Sequence, residues 1–175
     1  MRLRRSALPS DVAARVHGRA LAFAEADGSW LVGTRTELAV LRPGEDRAGE
    51  AGPTEVRIPW ERVEGAHWDR ELSRLRIDEI GEYGQPRPSH LFTMLEQEPT
   101  LLLQLIRERV TASVVLQRGQ LVAGKRGFKV IGRRSPMGGP ITWMHEYDDG
   151  VDPDDPEVAT AAAALLEQAR ADVGE

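Results

Sequence analysis

The stretch DGSWLVGTRTELAVLR, residues 27–42, decides how this chain is read. Asp27 and Gly28 supply turn chemistry. The two runs that follow, "WLVGT" and "ELAVLR", are short, apolar and rich in branched side chains, which suits a hairpin of antiparallel strands better than a helix. Upstream, "RALAFAEA" (residues 19–26) places Leu21, Phe23 and Glu25 on one face of a strand entering the Asp27-Gly28 turn. Downstream, past a loop rich in Gly, Pro and Glu over residues 43–53, "EVRIPW", "EGAHWD" and "SRLRIDEIG" continue the strand pattern. A Gly/Pro loop at residues 84–88 then leads to "HLFTMLE". Seven strands are expected before residue 97.

The period then changes. In "EPTLLLQLIRERVTASVVLQ" (residues 98–117), Pro99 suits a first helical turn, and Leu102, Leu105, Ile106 and Val110 keep the spacing of an apolar stripe. The β-branched "TASVV" leaves the end of this helix open. "RGFKVIGRRS" and "ITWMHEYD" predict a hairpin across "PMGGP". A closing helix follows, with Asp155 as N-cap, Pro156 in the first helical place and Glu157 at the positive end of the dipole. Val158, Ala162, Leu165, Ala169 and Val173 share its apolar face.

The 175 residues carry a net charge of −5 and no cysteine. Disulfides, thiolate metal sites and cysteine nucleophiles are thereby excluded, and the composition fits a reducing cytoplasm. No apolar run approaches the ~20 residues that cross a bilayer as a helix. The arginine-rich start lacks the apolar segment of a secretory signal, so residues 1–17 are expected to form an N-terminal arm. Charge is polarised toward the C-terminus: six basic residues and no acidic ones lie within residues 118–134, and ten acidic residues with one arginine lie from Glu146 onward.

Seven short strands followed by a helix is the order of the pleckstrin-homology (PH) fold. On "DGSWLVGTRTELAVLR", "IPWERVEGAHWD", the "LRI" of the next strand and "LLQLIRERVTASVV", the chain resembles the bacterial PH-like and GRAM-like domains. The resemblance implies a mainly β fold: a seven-stranded antiparallel barrel plugged by a helix over residues 18–116. The β-hairpin and helix of residues 117–175 are then an extension packed on the same domain. It also implies a non-catalytic binding or scaffolding module whose partner is another protein, held in a groove beside the helix or along a strand edge. Phosphoinositide-binding PH domains use basic loops between their first strands. Here the matching turn, "EADGSW", is acidic, so that site does not carry over.

The candidate binding residues are Arg118, Lys125, Arg126, Lys129, Arg133 and Arg134, with Trp143 on the neighbouring strand. Strand alternation places Lys125, Lys129 and Arg133 on one face, and Arg126 and Arg134 on the other beside Phe128 and Val130. Two readings of these cations stay open. They bind an anion, either nucleic acid or acidic lipid headgroups, or they are compensated by the acidic "HEYDDGVDPDD". Trp143 either joins a binding face or seats the extension.

No cofactor or metal is expected. "GQLVAGKR" (residues 119–126) has the glycines and lysine of a phosphate loop, but Arg126 replaces the hydroxyl residue and a strand follows where a helix is needed. Asp152 to Asp155 read as a turn and a cap, without the order of a calcium loop. His17, His67, His90 and His145 lack ligand spacing, and no nucleophile motif is present, so no enzyme is expected. Trp30, Trp60 and Trp68 read as anchors of the core.

Overall fold

The computed structural model describes residues 7–43, 55–81, 87–96 and 98–175. Most of the loop expected over residues 43–53 and most of that at residues 84–88 lie outside them. The protein is mainly β with three helices among the described residues, and it divides into two compact units, Met1–Thr111 and Ala112–Glu175.

The first unit opens with a short helix α1 (Ser10–Ala14) and the strands β1 (Ala22–Ala26), β2 (Ser29–Gly33), β3 (Glu37–Leu41) and β4 (Glu55–Pro59). These pair in sequence order as one antiparallel sheet, with the β1–β2 turn at Asp27-Gly28 and Gly28 at φ 70°. A 3-10 turn at Trp60–Arg62 leads into β5 (Val63–Asp69), β6 (Arg74–Glu79) and β7 (Ser89–Thr93), a second antiparallel sheet. The seven strands stand where the sequence places them. The ladders do not close into the expected barrel: among the described residues, β4 pairs only with β3 and β5 only with β6. At the opposite corner the sheets touch through a single bridge, Ala26 to Met94, flanked by Asp27 N–H to Thr93 O (2.8 Å) and Leu95 N–H to Glu25 O (3.0 Å).

Between the two sheets lies one core, closed by α2 (Thr100–Ser113). Its inward β1 residues are Ala22, Ala24 and Ala26, so the face carrying Leu21 and Phe23 turns the other way. Small side chains there let the sheet approach its neighbours, while Leu31, Leu38, Ile58, Trp60, Leu75 and Ile77 supply the volume. Trp60 is fully buried, and its Nε1–H donates to the Thr34 carbonyl at 3.1 Å. Strands β2 and β3 do not alternate because both faces are covered. Trp30, Val32, Ala39 and Leu41 form a second cluster with Val12 of α1 and Leu8, Val16, Ala20 and Phe23. The arm thus packs on the outer face of the first sheet.

In the second unit α2 has ended at Ser113, and the chain continues as β8 (Val114–Ala123), β9 (Arg126–Arg133) and β10 (Thr142–Tyr147), in the sheet order β10-β9-β8. The expected hairpin is therefore a three-stranded sheet. The β-branched residues at the helix end start a ten-residue strand. Helix α3 (Pro156–Val173) covers one face with Ala162, Leu165 and Ala169 on Phe128 and Val130. The Asp155 carboxylate caps it, accepting from Glu157 N–H (2.8 Å) and Val158 N–H (3.2 Å), and Gly174 at φ 79° ends it.

Candidate functional site

The basic run does not form one patch. Lys125 sits in the turn that joins β8 to β9, outside the alternation expected for it, and Lys125 and Arg126 are exposed. Arg118 stands opposite Val130 and pairs with Asp172 of α3, its Nε and Nη2 reaching Oδ2 at 3.1 and 2.7 Å. Lys129 faces Glu146 across β9 and β10, at 3.7 Å. Arg133 is only 6% exposed and donates from Nη1 to Ser113 Oγ at 3.0 Å, so it is no surface cation. Arg134 is half-buried, with its Nε buried and without an acceptor among the described residues. Over Arg118 and Lys129 the compensating carboxylates come from α3 and β10.

Trp143 is half-buried against the α3 core. Its ring lies over Gly132, where a Cβ would come within 2.7 Å, and its Nε1–H donates to Glu175 Oε2 at 2.8 Å. Gly119 to Ala123 belong to β8, and Gly124, at φ 61°, makes the hairpin turn. Gly127 lies in β9. No helix follows the glycine-lysine spacing, so the geometry that cradles a phosphate is missing there. Asp152 Oδ1 accepts from Asp154 N–H at 3.0 Å, the turn expected of these aspartates. Ser89 Oγ donates to Asp78 (2.7 Å) while His90 Nε2 pairs with Glu79 Oε1 (2.7 Å), so these sequence neighbours serve separate carboxylates.

A different site lies in the first unit. Strand β5 is the edge of its sheet, and beside it α2 leaves a groove of about 910 Å³. Ala66, Trp68 and Leu75 form one wall; Leu103, Ile106 and Val110 of α2 line the other. Gln104, Arg107, Glu108 and Thr111 bring polar groups to the same groove. Apolar walls with a few polar groups are the composition of a binding cleft. Trp68 is half-buried, and its indole N–H is buried without an acceptor among the described residues. Such an orphaned donor costs about 1–3 kcal/mol until something accepts from it.

The sequence gives Trp68 as core and does not single out this groove. Its one signal is the composition of "EGAHWD", where Ala66, on the same face as Trp68, is too small to fill the space beside it. Comparison with known proteins returns no match: no family model, no curated protein and no solved structure aligns with the chain.

Proposed function

We propose that this protein is a non-catalytic binding module that takes an extended segment of another protein into the groove between β5 and α2. We further propose that its two sheets and α2 constitute a PH-like arrangement. In favour of that arrangement are the four-plus-three strand order, the helix closing the core and the Ala26–Met94 corner bridge. The observation that carries the functional reading is the coincidence of an edge strand and an apolar-walled groove of about 910 Å³ beside it. An added strand pairs its main chain with β5 and sets alternate side chains on the apolar walls.

The test is capture of a partner from the native host with the wild-type chain and with two variants. Ala66 is exposed, so Ala66→Arg obstructs the groove without disturbing the core. Lys125→Glu combined with Arg126→Glu reverses the exposed hairpin cations. Loss of the partner with Ala66→Arg and retention with the charge reversal supports the groove. The opposite pattern, with binding that weakens steeply in salt, refutes it in favour of an anion site.

A further inference from the structure

Among the described residues, β8 has no strand paired on its outer edge. β8 is the outer strand of its sheet, and Gln117, Arg118, Gly119 and Gln120 are all exposed, as is Leu121 at 67%. Its ladder with β9 shifts register between Val114 and Leu116 and between Leu121 and Ala123, leaving residues 116–121 as a regular stretch between two bulges. Bulges blunt an edge against promiscuous pairing, so the usable template is this central stretch alone.

Which backbone groups it offers follows from β9. Gly127 N–H donates to Asp148 Oδ2 (2.7 Å), and its carbonyl accepts from Asp148 N–H (3.0 Å), so both point away from β8. Bonding direction alternates along an antiparallel strand, so Gly127, Lys129 and Ile131 bond on the β10 side. Their opposite residues on β8 are Leu121, Gly119 and Gln117, whose N–H and C=O groups therefore face the open edge.

We propose that two copies of this chain associate by antiparallel pairing of β8 with β8, about a two-fold axis at Gly119. In that register Gly119 exchanges both main-chain hydrogen bonds with Gly119 of the second copy. Gln117 does the same with Leu121 of the second copy, and the reverse, so all three outward-facing residues are satisfied at once. Between them Arg118 stands opposite Gln120, an amide that accepts from it, while its own Asp172 stays in place. Shifting the axis to Arg118 sets two guanidiniums face to face, which disfavours that alternative. Glycine at the axis lets the two backbones meet without side chains in the way. The isologous symmetry closes at two and leaves no β8 edge for a third copy.

Sedimentation equilibrium over a concentration series tests this. The wild-type mass is expected to rise from 19.4 kDa toward twice that value. Gly119→Pro removes the outward N–H at the axis, which β9 does not use, and is expected to hold the mass at one chain. Should that variant misfold by circular dichroism, Gln117→Lys with Leu121→Lys decides, because both side chains are exposed and each new ammonium faces another across the axis. In the wild-type dimer, amide exchange at Gln117, Gly119 and Leu121 is expected to slow as concentration rises. A wild-type chain that stays at 19.4 kDa up to its solubility limit overturns the proposal. So does a dimer that survives in folded Gly119→Pro or in the lysine variant.

Discussion

The packing of α2 on the first sheet is open to a sign test at Gly33. A Cβ built there stands 2.5 Å from Leu105 Cδ2 and 3.6 Å from Leu102 Cδ1, and both leucines are buried. Glycine in a strand costs about 0.5–1 kcal/mol relative to alanine in backbone freedom, so Gly33→Ala stabilises wherever the methyl finds room. In the wild-type core it does not. Forcing Leu105 aside costs about 1–3 kcal/mol, and the net effect is destabilisation by roughly 1 kcal/mol. Leu105→Ala alone costs about 2–5 kcal/mol. It also clears the site, so Gly33→Ala in that background is expected to be neutral or to restore up to about 1 kcal/mol. Urea unfolding followed by tryptophan fluorescence, with Trp143→Phe silencing the second unit, gives the four stabilities of the cycle. A coupling of about 1–2 kcal/mol with reversal of sign is the expected outcome. Equal destabilisation by Gly33→Ala in both backgrounds would mean that Leu105 does not rest on Gly33, and the core described between the sheets and α2 would be wrong.

Three further outcomes follow from particular contacts. Asp155→Ala removes the acceptor of two helix N–H groups and is expected to lower the stability of the second unit by about 1 kcal/mol, read by thermal unfolding, while Asp155→Asn retains most of it. Trp60→Phe strands the Thr34 carbonyl in the core and is expected to cost about 1–3 kcal/mol for that group beyond the volume lost, measured by urea unfolding. Asp172→Ala breaks an ion pair whose side chains are about half exposed, so stability should change by less than about 1 kcal/mol and the difference should fade in high salt. A larger, salt-insensitive loss would show that Arg118 is held by more than charge.

Much of the fold was legible because local chemistry agreed with tertiary demand. The strand runs from "AFAEA" to "SHLFT" fall where turn residues bound them, and the N-cap, first-turn proline and apolar face of α3 were readable from residues 155–173. β2 and β3 show where the pattern misleads. Period-two alternation tells which residues share a face but not which face is covered, and here the N-terminal arm covers the second one. The alanines of β1 illustrate the same limit: Phe23 is the larger side chain, yet the small residues face the core because the sheets and α2 converge there.

The candidate sites divide along the same line. Six cations within seventeen residues read as a patch only while the run is treated as one surface. Alternation sends Arg118 to the side of α3 and Lys129 to the other, the hairpin turn removes Lys125 from either face, and burial removes Arg133 from the surface. Each assignment depends on a partner far along the chain, such as Asp172 or Ser113, which no window of sequence contains. The groove is harder still to see, since it is made by what is missing: Ala66 brings little bulk to the groove face of β5, and α2 stands off beside it. Composition records side chains that are present, whereas a cleft depends on where two elements diverge. Trp68 was therefore visible as an anchor, and its unsatisfied indole was visible only once β5 and α2 were in place.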